Sequence, residues 1–246
     1  MPGAEMTGHA RKRIESRWCG GTRQATRNRC RFSLPGGCYR RRHSASFALS
    51  SFSHRRCIMA TPFDTRQFVN ECRDAAAVKD PVTATRAAVR EAVRALASGV
   101  VTLPPLDSSC ARRSGHLLLG HDRTLFEDDA VTVVVVETEP GHYQPPHDHS
   151  MCAVIGVFEG GERSRFYRRT DGRARLATRR VVRPSEVIAL RERTVHAISA
   201  DAGEPCRALH VYLGPLSSRP RSLFHPESGI EEPFDFDTYL YYVRAG

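Results

Sequence analysis

No apolar stretch in this chain approaches the ~18 residues that a membrane-spanning helix needs. The longest β-branched run, Val131-Thr-Val-Val-Val-Val136, is only strand-sized. The eight cysteines contain no Cys-x-x-Cys pair, which argues against a zinc ribbon. Residues 1–15 lack the apolar core of a secretion signal. From these absences we expect a soluble protein in a reducing, cytoplasmic setting, with no membrane partner and with its cysteines as ordinary thiols.

Lysine is nearly missing as well, with 2 residues against 35 arginines. Such usage accompanies a GC-rich coding sequence, in which upstream frames often stay open. Acidic residues are scarce in one place only: residues 1–58 hold 13 Lys/Arg and 2 Asp/Glu, whereas residues 59–246 hold 24 and 25. The net charge of +10 therefore belongs to the N-terminal segment, and the rest of the chain gives no case for a nucleic-acid partner. Residues 1–58 show no sustained apolar period, and disorder is expected there. Three readings of the segment compete: a basic nucleic-acid-binding arm, an organelle transit peptide, or an over-extended start. The third is favoured, because the first ordered pattern follows Met59 at once. The working domain is then 59–246.

Residues 61–78 read as a helix, with Thr61 as cap, Pro62 in the first turn, and Phe68, Val69, Cys72 and Ala76 as its apolar stripe. Asp80-Pro81 opens a second helix to about Ser98, in which Val89, Ala92, Val93 and Leu96 recur at helical spacing before Gly99 ends it. From Leu117 onward the pattern changes. Strands are expected near 116–119, 123–126, 131–138, 152–159, 164–170, 174–182, 186–190, 195–199 and 207–213. Asp171-Gly172 supplies the positive φ of a two-residue hairpin turn. Short strands at this spacing predict a mainly β, antiparallel sandwich or small barrel. The aromatic and acidic stretch 234–242 predicts a short C-terminal helix or strand packed on that barrel.

Histidine is where chemistry gathers. His147 and His149 follow Pro145-Pro146 at a spacing that, in a strand, points both rings to one face. His196 follows on a later hairpin, then His210, each in or beside a predicted strand. Neutral imidazole is a ligand for Zn, Fe, Cu and Ni. Two histidines from one hairpin and a third from another can converge on one ion. His116, His121, His142 and His225 read as solvated or loop residues.

The spacing Gly141-x5-His147-x-His149 resembles the first motif of the cupin superfamily, and the Pro-containing turn, strand and histidine at 184–196 resemble the second. The resemblance covers about residues 116–213. It implies a double-stranded β-helix, or jelly roll, here preceded by two short α-helices. The commonest cupin pattern also places a Glu ligand shortly after the second histidine. That position falls at Ala153 or Val154 here, with the motif glycine at Gly161. Glu159 and Glu162 lie past it and are weaker substitutes. A carboxylate-free trio is similar to the thiol dioxygenases, a cupin branch that binds Fe(II) with three histidines.

Two further stretches point to that branch. Ala208-Leu-His210-Val-Tyr212 resembles the Ser-x-His-x-Tyr strand of cysteine dioxygenases, with Ala208 in place of the relay serine. Arg123, 24 residues before His147, stands where those enzymes put a carboxylate-holding arginine. The segment 145–169 is also similar to a bacterial cupin group described as cysteine dioxygenase-like. The resemblance implies an Fe(II)- and O2-dependent dioxygenase that oxidises a small carboxylated thiol, cysteine or a mercapto acid, to a sulfinate. His147, His149 and His196 would bind iron, His210 and Tyr212 would act on the reacting ligand, and Arg123 would hold the carboxylate. Alternatively His210 and Tyr212 form a core pair and Arg123 is structural. Cys152 reads as ordinary packing rather than a thioether partner of Tyr212. Two other functions stay open: a cupin isomerase or decarboxylase using Zn, Mn or Ni, and a non-catalytic cupin that senses or stores a small ligand.

Overall fold

The structure is a computed structural model that describes residues 60–104, 122–201 and 203–245. The readings of segment 1–58, of a strand at 116–119, and of His116 and His121 fall outside the described residues.

Thr61–Pro62 (β1) and Val101–Thr102 (β2) pair in parallel and bracket two helices, α1 (Thr65–Ala76) and α2 (Pro81–Ala97). The first helix begins four residues later than expected. Asp64, not Thr61, caps it, accepting from the Gln67 N–H at 2.9 Å, while Thr61 and Pro62 are drawn into the strand pair. Asp80 caps α2 in the same way, with Pro81 in the first turn as predicted, and Gly99 follows the end of the helix at φ +73°. No helix of the described residues is long and apolar enough to cross a membrane.

The strands that follow are β3 (Arg123–Glu127), β4 (Thr132–Thr138), β5 (Tyr143–His147), β6 (Ala153–Glu159), β7 (Glu162–Thr170), β8 (Arg173–Val182), β9 (Val187–Leu190), β10 (Val195–Ala200), β11 (Cys206–Tyr212), β12 (Ser222–Phe224) and β13 (Glu231–Pro233). They form two antiparallel sheets, ordered β13-β12-β5-β10-β7-β8 and β3-β4-β11-β6-β9. From β4 to β12 the chain passes from one sheet to the other at nearly every step, only the β7–β8 hairpin staying within one. That alternation makes the fold a mainly β jelly roll, a double-stranded β-helix, with α1 and α2 before it. Asp171 and Gly172 turn the β7–β8 hairpin at φ +51° and +67°, as the sequence required. Within these two sheets three strands escaped the sequence reading, β5 with its two prolines and the three-residue β12 and β13, as did the short β1 and β2.

The unbroken valine run in β4 has a direct cause. Val131, Val133 and Val135 face α1 and α2, joining Phe68, Cys72, Val89 and Val93. Val134 and Val136 face the barrel interior with Ile155, Ile198 and Tyr212. A strand covered on both sides needs apolar residues at every position. Gly156 permits the same packing on β6, since a Cβ there would stand 2.6 Å from Val89 Cγ1 and 2.8 Å from Val93 Cγ1. The last helix, α3 (Phe236–Ala245), packs on β5 and buries Tyr239 and Tyr242 beside Leu223. The C-terminal aromatics thus form a helix, one of the two forms expected.

Candidate metal centre

His147 is the last residue of β5, and His196 lies directly across from it on β10. Opposite residues on paired strands share a face, so both rings enter the interior. His149 lies just past the strand end rather than within it. Asp148 fixes that exit: its main-chain N–H bonds the Ser222 carbonyl, its carboxylate accepts from the Ser222 N–H at 2.8 Å, and it pairs with Arg169 at 3.1 Å. Asp148 is therefore turned away to β12 while the histidines on either side turn inward.

The three rings stand as a near-equilateral triangle, with centroid separations of 4.9, 5.0 and 5.0 Å. One nitrogen from each lies within 4.8 Å of the others. His149 Nε2 and His196 Nε2 are 3.4 Å apart. Two nitrogens bound to one ion at ~2.1 Å and a tetrahedral angle lie about 3.4 Å from each other. His147 Nδ1 is 2.8 Å from the Pro145 carbonyl. A carbonyl only accepts, so Nδ1 carries the proton and Nε2 presents its lone pair, the usual outer support of a metal-binding imidazole. Burial above all holds His147 at a pKa of about 4, and keeps His149 and His196 well below the ordinary histidine range. All three are thus neutral near pH 7, the form that ligates metal. Three buried imidazoles with converging lone pairs fit a metal ion.

Here the trio can hold one ion. No protein-family model matches the sequence. Similar solved structures include an uncharacterised double-stranded β-helix protein of Klebsiella pneumoniae, 18% identical over 41% of this chain and 79% of that one, with a TM-score of 0.33. A cupin superfamily protein of Desulfitobacterium hafniense is 14% identical over 37% of this chain and 74% of its own, at a TM-score of 0.32. Oxalate decarboxylase of Bacillus subtilis, which carries Mn(II) centres, is 19% identical over 35% of this chain and 22% of its own, at a TM-score of 0.31. These likenesses are partial, and the jelly-roll assignment rests on the strand order.

No carboxylate of the described residues joins the trio. Glu159 pairs with Arg207 at 3.1 Å on an exposed edge. Glu162 does something the sequence reading did not weigh. It faces inward from β7, accepts from the Ser164 hydroxyl at 2.8 Å, and lies 3.3 Å from His210 Nε2. His210 Nδ1 in turn lies 3.2 Å from the Tyr212 hydroxyl. With Nε2–H donating to the Glu162 carboxyl, Nδ1 accepts a hydrogen bond from the Tyr212 hydroxyl. Glu162, His210 and Tyr212 thus form a buried hydrogen-bonded chain. The signal for Glu162 was an acidic residue on the inward phase of a strand, with Ser164 and Phe166 next on that face. The ring of Tyr212 lies 4.8 Å from that of His149. Burial raises Tyr212 further above its ordinary value, so its hydroxyl keeps its proton.

His147, His149 and Tyr212 open onto a cavity of about 110 Å³, whose other walls are Asp122, Gln144, Leu216, Arg221, Phe234, Phe236 and Tyr239. Arg123 does not line it. It pairs with Val135, which faces the helices, so Arg123 points to the outer side of the sheet. The arginine in the wall is Arg221, from the stretch before β12. One arginine among 35 in an irregular segment offers no sequence signal. His142 is exposed, and His225 sits in a turn where its Nδ1 accepts from Glu227 and Ser228, as expected of loop residues. Burial pushes the Cys72 thiol up to about 12 and Cys206 higher still, so both are inert.

A pH prediction follows for protein stripped of metal. Unfolded histidine takes up a proton near pH 6.5, whereas folded His147 resists protonation down to about 4 and burial holds His149 and His196 well below the ordinary range. Between these values the unfolded state binds more protons, so stability is full above 6.5 and is lost as pH falls. The slope is at most about 1.4 kcal/mol per pH unit per histidine. Urea unfolding of the apoprotein from pH 7 to 5 is expected to show this loss. A flat profile would contradict the buried, neutral trio.

Proposed function

We propose that this protein is an Fe(II)- and O2-dependent thiol dioxygenase acting on a small carboxylated thiol. The observation that carries the reading is a buried trio of imidazoles without a carboxylate, two of which, His147 and His149, line the same cavity as Tyr212, the end of a Glu162–His210–Tyr212 relay. Three neutral ligands would leave a bound Fe(II) its full double charge, which favours a thiolate ligand, and the sulfur, oxidised to the sulfinate, supplies the electrons that O2 takes up. His147, His149 and His196 would hold that ion.

The chain's own groups supply the rest. Tyr212 holds its hydroxyl at the cavity wall, where a hydrogen bond to the thiol or its oxidised product is within its reach. His210 and Glu162 fix the direction of that hydroxyl and can carry its proton. Arg221 is half-buried, stacks 3.9 Å from the Phe234 ring centroid, and offers a planar fork to a substrate carboxylate. Phe234, Phe236, Leu216 and Tyr239 limit water around the reacting groups.

The test is O2 uptake by protein loaded anaerobically with Fe(II), offered cysteine, cysteamine and 3-mercaptopropionate. Uptake that depends on a carboxylated thiol and yields its sulfinate is the expected result. Stoichiometric iron without uptake on any of the three would overturn the reading and favour another metal-dependent reaction.

A further inference from the structure

Two ionisable side chains in the cavity wall lack an ion-pair partner among the described residues. Arg221 has no carboxylate of the described residues within ion-pair distance, and its guanidinium meets only the face of Phe234. Asp122, the residue just before β3, contributes its carboxyl to the same cavity, and its Oδ1 is buried without a hydrogen-bond partner. Such groups are rare, because each gives up hydration for nothing. Burial, and then the negative charge of Glu162, pushes the Asp122 carboxyl well above its ordinary range. A cation placed beside it would relieve both effects.

One of the two is a cation, the other a carboxyl that a neighbouring cation would ionise, and the space they share is small. At ~30 Å³ per liquid water, about 110 Å³ holds about four waters, so only a small ligand fits. A mercapto acid without an amine would satisfy Arg221 and leave Asp122 stranded. An amine without a carboxylate would do the reverse.

We propose that Asp122 accepts a hydrogen bond from a substrate ammonium group while Arg221 holds the carboxylate, so that the cavity selects a zwitterionic amino acid over its amine-free counterpart. This rests on the cavity being the substrate site of the proposed dioxygenase. It adds a specificity residue that the metal trio and the relay do not require. Asp122 adjoins Arg123, so the stretch singled out in the sequence does reach the cavity, through the neighbouring residue and with the opposite charge.

Cysteine and 3-mercaptopropionate differ only in the α-amine and are the probes. Their dissociation constants would be measured by calorimetry on protein loaded with Zn(II), which cannot turn over, and their KM values on the Fe(II) form. The wild type is expected to favour cysteine at least ten-fold, the effect of one buried charge-assisted hydrogen bond. Asp122→Asn keeps the shape and loses the charge. It is expected to weaken cysteine at least ten-fold and leave 3-mercaptopropionate unchanged or tighter, with the melting temperature of the free protein preserved. Equal affinity for both acids in the wild type, or an unchanged ratio in Asp122→Asn, would overturn the role of Asp122 while leaving the dioxygenase reading intact. If neither thiol binds, the thiol reading fails instead. L-serine against 3-hydroxypropionate in a thermal-shift assay then decides Asp122: serine alone stabilising the wild type supports the proposal, and equal or absent shifts overturn it.

Discussion

His196→Ala is expected to purify with almost no metal where the wild type holds about one ion per chain, and to bind added Fe(II) or Zn(II) at least 100-fold more weakly. Losing even an outer-shell support costs 10–100-fold in affinity, and this change removes a ligand whose Nε2 stands 3.4 Å from that of His149. The effect on stability should depend on the metal. Wild-type protein with metal at about 100 times its dissociation constant gains roughly 2.7 kcal/mol, and His196→Ala should lose nearly all of that gain. The apoprotein should respond far less. His196 Nδ1 is buried without a partner, so deleting the ring removes an unsatisfied polar group as well as packing. Metal analysis and thermal melts with and without chelator check both parts. Full metal content in the variant would mean that the trio is not the site.

The site was legible to the extent that it obeyed short-range rules. His147, His149 and His196 could be named because the first two share a chain segment and the third follows a readable turn and strand. The β7–β8 turn and both helices were legible for the same reason. What failed depended on contacts between segments far apart in the chain. The direction of Arg123 is set by its pairing with Val135, and that pairing is set by the helices behind the sheet. Arg221 reaches the cavity because Asp148 ties the β5 exit to Ser222, a link of 74 residues. Local propensity does not carry such information. The prolines of β5 hid an inner strand because Pro145 and Pro146, by their missing donors, suit a strand entry or edge. Tertiary pairing with β10 and β12 overrode that preference.

The second large effect is expected at Glu162. Glu162→Ala leaves His210 Nε2–H and the Ser164 hydroxyl without their acceptor inside the barrel. At ~1–3 kcal/mol for each of the two stranded groups, the loss should be about 2–6 kcal/mol, or roughly 4–24 °C in melting temperature for a domain of this size. That result alone would fit a purely structural carboxylate, so Glu162→Gln is the decisive variant. Its amide oxygen can still accept from His210, and its NH2 can donate to Ser164 with the hydroxyl turned round. The fold and the metal content should survive, but the carboxylate facing His210 Nε2 is gone. Thiol-dependent turnover is expected to fall about 100-fold, within the range for a positioned proton-transfer group, while KM changes less than two-fold because Glu162 does not line the cavity. Tyr212→Phe should lower kcat by a similar factor, and the double variant should be little worse than either alone, since residues acting as one unit are not additive. Additive losses would make Glu162 and Tyr212 independent. Loss of metal in Glu162→Gln would place its influence on the histidine trio instead of on the relay.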